Sequence, residues 1–165
     1  MDDMTKINAL STMLRRHIDQ VTTLSELLLQ EYTALRDSQA EEIVQLAQEK
    51  SVLLMALKDL EIEQQQFLRS VLVSDENVQL ATAIEKIAPQ NPQALLSLNE
   101  ELKKLAKQCH KQNQINGIVI GLRQQFTDNS LAILRGQNPA AATQLIYGRD
   151  GQAESRSGPS SLTKA

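Results

Sequence analysis

Apolar residues return every third or fourth position along most of this chain, and nowhere do they alternate at two. Over residues 2–35 the stripe reads Ile7, Leu10, Leu14, Val21, Leu24, Leu28 and Leu35, the register of one face of one helix. His17 and Glu31 fall on the same register, and Ile18 and Tyr32, one position aside, can keep that face apolar. A second stripe over residues 39–72 uses Ile43, Leu46, Leu53, Leu57, Leu60, Phe67 and Val71, with Lys50 and Gln64 in its gaps. Between the two, Ser38 followed three residues on by Glu41 has the spacing of a capping box, in which each side chain accepts the other residue's backbone N–H. A second helix is expected to start there, and the short link around Arg36 to Ser38 makes the two helices antiparallel neighbours.

Further along, Ser74 reads as an N-cap with Asp75 and Glu76 in the first turn, where carboxylates suit the positive end of the helix dipole. The helix it opens is brief, with Val78, Ala81, Ile84 and Ile87 inward, and Pro89 closes it. Asn91 and Pro92 restart the chain, because proline at a first helical position has no N–H left to satisfy. The last long helix is expected over residues 92 to about 135, its inner face marked by Leu95, Leu98, Leu102, Leu105, Cys109, Val119, Leu122, Phe126, Ile133 and Leu134. Gln112, Asn113 and Asn116 interrupt that face. The interruption is either a polar core layer that fixes register or a break at Asn116–Gly117. The periodicity resumes in phase beyond Gly117, so a continuous helix is expected. Together these segments predict an all-α protein: an antiparallel helical bundle or coiled coil of three long helices and one short one over residues 1–135.

Composition agrees with helices. Hydrophobic residues make up 41% of the chain but aromatic ones only 2%, so the core must be built from Leu, Ile, Val and Ala. After Gly136 the character changes to Gly, Pro and Ser, and residues 136–165 read as a largely disordered, flexible tail that buries too little to offset its chain entropy. Within it "NPAAATQLIYG" carries helix start and stop signals, predicting a nascent helix near residues 139–147 that presents Leu145, Ile146 and Tyr147. Two turns are too short to hold alone in water, so this piece needs a partner or the bundle to order it.

Charge and candidate chemistry then narrow the function. A net charge of −3 argues against a broad phosphate-binding surface, so no nucleic-acid partner is expected. The opening "MDDMTK" lacks the bases and apolar run of a signal peptide, and no segment approaches the roughly 18 apolar residues that span a bilayer, so a cytoplasmic protein, not membrane-embedded, is expected. The lone thiol Cys109 sits beside His110, which points to a different helix face, so nucleophile and base do not meet. Structural roles, a surface histidine and a buried cysteine, weigh most. No spacing of ligands suits a metal, and neither cofactor, small-molecule substrate nor enzymatic activity is expected. The pairs Glu41–Glu42 and Glu100–Glu101 read as solvated helix faces, and "GIVIG" at residues 117–121 as a small-residue surface for close packing against another helix.

Three stretches carry a resemblance. "EKSVLLMALKDLE", "NQINGIVIGLRQQFTDNSLAILRG" and the tail motif "LIYGRDGQ" resemble, in that order, the FlgN family of flagellar export chaperones. The resemblance implies a helical bundle that binds the helical C-terminal segments of the hook–filament junction proteins FlgK and FlgL, prevents early assembly, and delivers them to the export gate. It implies docking of Tyr147 to the gate component FlhA. Client contacts are expected at Phe126, Leu131, Ile133 and Leu134, where the fourth helix outruns its partners, together with Leu145 and Ile146. The Ser-rich stretch after Gln152 departs from the family pattern. Two other classes stay open: a histidine phosphotransfer bundle using His17 or His110, although neither "HIDQV" nor "HKQNQ" has the His-x-x-Lys-Gly pattern, and a structural coiled coil without a client.

Overall fold

The structure, a computed structural model, describes residues 2–72 and 79–137. Four helices run through them: α1 (Asp3–Asp37), α2 (Ala40–Leu72), α3 (Leu80–Ile87) and α4 (Gln93–Leu134), with no strand among the described residues. The expected helical bundle of three long helices and one short one is the fold. Ser74, Asp75, Glu76 and Val78, and the whole tail with Leu145, Ile146 and Tyr147, lie outside the described residues. The chain divides into two compact units, Met1–Ile120 and Gly121–Ala165.

In the first unit, α1 and α2 are separated by only Ser38 and Gln39. Ser38 takes a left-handed conformation at φ 62°, its N–H returning to the Leu35 carbonyl at 3.4 Å, while the Gln39 N–H reaches the Ala34 carbonyl at 3.0 Å. These two bonds form a Schellman motif, so Ser38 closes α1. The Ile43 N–H returns to the Gln39 carbonyl, which puts the start of α2 one residue later. Pairing across the turn is antiparallel: Arg16 Nη1 meets Glu63 Oε2 at 3.1 Å, and Lys50 meets Glu31. In contrast, α4 runs parallel to α1, because the Cys109 thiol reaches the Val21 carbonyl and Asn116 reaches that of Leu28.

Two apolar clusters form the core of this unit. One joins Leu10 and Leu14 of α1, Leu68 of α2, Ala83, Ile84 and Ile87 of α3, and Leu95 of α4. The other holds Val21, Leu28 and Cys109, with Leu24, Leu57, Leu102 and Leu105 packed against it. Burying such leucines stabilises the fold by roughly 1.5–3 kcal/mol per side chain.

Several polar expectations change. His17 and Glu31 are themselves buried, whereas Ile18 is half-buried and Tyr32 exposed, so the α1 face is completed by polar groups and not by their apolar neighbours. The surface-histidine expectation therefore holds for His110 only; Cys109 is buried as expected, and its thiol pKa is raised by that burial. Glu41, Glu42, Glu100 and Glu101 are all exposed, as expected of solvated faces. Asn116 is 1% exposed and α4 continues unbroken through it, so the interruption is a polar core layer. Within the described residues the small-residue stripe meets no neighbour: a Cβ placed on Gly117 or Gly121 would find nothing within 4 Å, so none of the described helices packs closely there. Asn116 takes the inward position, which turns the next residue, about 100° around the helix, away from α1.

In the second unit, α4 runs on to Leu134 and ends at Gly136, φ 71°, whose N–H bonds the Ile133 carbonyl while that of Gln137 bonds the Ala132 carbonyl, a second Schellman motif. Leu122, Phe126, Ile133 and Leu134, expected on the inner face, are exposed instead. The described part of this unit is a single helical stretch with no second helix to cover them.

Candidate binding surfaces

The apolar surface of the second unit is made by helical spacing alone. Leu122, Phe126 and Ile133 recur at four and seven residues and share one face; Leu134 lies about 100° around the helix from Ile133, and Leu131 falls on the opposite side. Phe126 is 74% exposed and Leu134 82%, with Leu131 and Ile133 also open to solvent. Isolated exposed leucines are ordinary, but Leu122, Phe126 and Ile133 exposed on one face, with Leu134 beside it, form a patch of the kind that marks an interaction surface. Of the client residues expected from the sequence, the structure brings Phe126, Leu131, Ile133 and Leu134 onto one helical stretch; Leu145, Ile146 and Tyr147 fall outside the described residues.

A second surface, missed by the sequence reading, lies wholly in the first unit. There α1 forms the floor of a cleft of about 260 Å³ with Val21, Leu24 and Leu28. Its α2 wall is Lys50 and Leu54, and its α4 wall is Ala106, Cys109, His110 and Asn113. Leu54 is 48% exposed although it borders this apolar floor.

Beside the cleft a polar layer ties the three long helices together. Asn116 Nδ2 donates to the Leu28 carbonyl and to Glu31 Oε2, both at 2.8 Å, and Gln112 Nε2 donates to Asn116 Oδ1 at 3.0 Å. Lys50 Nζ holds the other oxygen of Glu31. A carboxylate buried this deeply would be costly alone, and its two partners from α2 and α4 offset that cost. The geometry specifies one register for all three helices, as a buried asparagine does in coiled coils.

Chemistry beyond binding finds little support in the geometry. His17 is packed inside and its pKa is lowered, first by burial, against weaker opposing pulls from the Met13 backbone, Glu61 and Glu63. That seclusion does not suit a phosphate-accepting histidine. Among the described residues no three His, Cys, Asp or Glu side chains gather as a metal site, and no helix is long and apolar enough to cross a membrane.

Comparison with protein families decides the kinship: the family model described as FlgN protein matches residues 1–155. The chain belongs to the FlgN family. This is a family of flagellar export chaperones, not of enzymes, and the match takes in both units, the polar layer and most of the tail. No curated protein and no solved structure matches the chain. FlgN membership gives the exposed apolar residues of the second unit a context, since a chaperone works by covering surface that its client would otherwise expose.

Proposed function

We propose that this FlgN-family chaperone binds the hook–filament junction proteins FlgK and FlgL in the cytoplasm, keeps them from assembling early, and hands them to the export gate through FlhA. The observation that carries the reading is the exposure of Phe126, Leu131, Ile133 and Leu134 along one helical stretch in a chain of this family. A subunit awaiting assembly exposes an amphipathic helix meant for a neighbour, and such a helix can lie against an apolar helical face by helix-in-groove packing. Leu145 and Ile146 extend the client contact, and Tyr147 is the handle for the gate, since a tyrosine contributes large contact area at low side-chain entropy.

Titration of purified FlgK and FlgL C-terminal segments tests this. Ile133→Asp or Phe126→Asp abolishes client binding while the melting temperature stays within about 2 °C, because the side chains are exposed. Unfolding of Ile133→Asp, or binding unchanged by both substitutions, would overturn the assignment. Tyr147→Ala leaves client affinity nearly unchanged but weakens binding to the FlhA cytoplasmic domain and lowers secretion; an intact gate interaction removes Tyr147 from that role.

A further inference from the structure

We infer that in the client-free protein the open face of Leu122, Phe126 and Ile133 is covered by the chain's own residues 139–147, folded back along α4 as a short helix. The fold-back rests on the client reading only for its consequence, that tail and client compete for one face. Two features of the described residues carry it, a repeated turn and a repeated stripe.

The turn that ends α4 is the turn that joins α1 to α2. The Ser38 N–H returns to the Leu35 carbonyl and that of Gln39 to Ala34; the Gly136 N–H returns to the Ile133 carbonyl and that of Gln137 to Ala132. Ser38 and Gly136 are both left-handed, at φ 62° and 71°, and alanine and glutamine recur at matching places, Ala34 with Ala132 and Gln39 with Gln137. After the first turn the chain begins α2 at Ala40 and runs back antiparallel to α1. After the second, Asn138 and Pro139 carry a helix start signal only one position further on.

The stripe before each turn is also the same. Leu122, Phe126 and Ile133 stand 14, 10 and 3 residues before Gly136, and Leu24, Leu28 and Leu35 stand at those distances before Ser38. In α1 that face is closed: Leu28 and Leu35 are buried, Leu24 packs in one cluster with Leu57 of α2, and Glu31 is held by Lys50 of α2. In α4 the counterparts are open to solvent. Residues 139–147 supply what is missing. Ile43 and Leu46, the first inward positions of α2, lie three and six residues after Ala40; Ala142 and Leu145 lie three and six after Pro139, and Ile146 continues their face. Tyr147 comes about 100° beyond Ile146 and away from Leu145, so the gate handle stays outside the contact.

Tethering selects this occupant over a second copy or a foreign helix. A link of a few residues gives an effective concentration on the order of millimolar, enough to hold a two-turn helix that would not persist alone.

The test uses the full chain without client, its isoleucine methyls and phenylalanine rings labelled for NMR. The Ile146 methyl shows NOEs to the Phe126 ring or the Ile133 methyl, and Ala142→Asp, which sets a charge into the contact but leaves Leu145 and Ile146 in place, removes them. The same variant binds the FlgK C-terminal segment about threefold more tightly or better, as expected when two thirds or more of the chains were covered, a gain that misfolding could not produce. Absence of the NOEs in the wild type overturns the fold-back, and their appearance between chains in a mixed-label sample overturns it in favour of a second copy. NOEs present with client affinity unchanged in Ala142→Asp overturn the competition. NOEs present with no FlgK binding by either protein uphold the fold-back and overturn the client reading instead.

Discussion

The two ends of the first unit are built from the same three long helices and reach different states. Where α3 joins them, Leu10, Leu14 and Ile84 are fully enclosed and the cluster is apolar throughout. Where α3 is absent, only Val21, Leu28 and Cys109 are buried in the apolar cluster, and the gap is managed by polar groups: Glu31, Lys50, Gln112 and Asn116. Three helices in contact enclose less than four, so the open end needs directional bonds to hold its register while leaving a groove. One end supplies stability, the other specificity and an accessible surface.

The sharpest way to break that comparison is to truncate at both ends. Ile84→Ala removes a fully enclosed side chain and costs about 4 kcal/mol in denaturant unfolding. Leu54→Ala, beside the open cleft, costs about 0.5 kcal/mol, in the range of surface changes. Equal losses at the two sites would show that the open end is packed as tightly as the closed one.

Next in size is the polar layer. Asn116→Ala leaves Glu31 with Lys50 as its remaining partner in this network and costs about 2–3 kcal/mol, again read by denaturant unfolding. Replacing Glu31, Lys50 and Asn116 together by leucine regains most of that loss, since well-packed apolar groups often match a buried ionic set. If the layer specifies register, the triple variant gives broadened amide resonances despite its stability; sharp, single resonances would show that the apolar stripes alone suffice.

How far these features were legible in sequence follows from the range of the interactions behind them. Helices are local, and the helical spacing of Ile7, Leu10 and Leu14, of Leu53, Leu57 and Leu60, and of Leu95, Leu98 and Leu102, each at three or four residues, located all three long ones to within a few residues. The burial of Glu31 was not legible, because its partners come from 19 and 85 residues away and nothing near it announces them. Ile18 and Tyr32 looked like better occupants of that face by hydrophobicity, but a side chain's direction is fixed by helix phase, and phase put Glu31 inward. The cleft was invisible for a related reason: it exists because a fourth helix stops short, and an absence leaves no pattern. Exposure of Phe126 and Ile133 was partly legible, since they lie far along the longest helix, yet the same spacing also placed them on an inner face.

Smaller again is the effect of glycine in α4. Gly117 lies inside a regular helix with open space around it, so Gly117→Ala stabilises the protein by about 1 kcal/mol and raises the melting temperature. Gly136, at φ 71°, behaves oppositely, and alanine there costs about 1 kcal/mol. A melting temperature lowered by Gly117→Ala would mean that a partner helix needs that site bare.

The smallest expected effect is that of His17, and its sign follows from burial. A ring whose folded pKa lies below the ordinary value of 6.5 stays neutral in the bundle while the unfolded chain takes up a proton as pH falls through that value. Stability is therefore unaffected by His17 above about pH 7.5, where both states are neutral, and declines below pH 6.5 until the folded ring is itself protonated. Glu61 and Glu63 favour the protonated ring and Arg16 disfavours it, so they moderate the decline without reversing it. Urea unfolding of the wild type and of His17→Gln at pH 7.5 and 5.5 isolates the contribution. The wild type loses more stability over that interval than the variant, since only the wild type carries the titrating ring. An identical loss in both would assign the pH dependence to the carboxylates, and a smaller loss in the wild type would mean that Glu61, Glu63 and the Met13 backbone outweigh burial and hold His17 protonated within the fold.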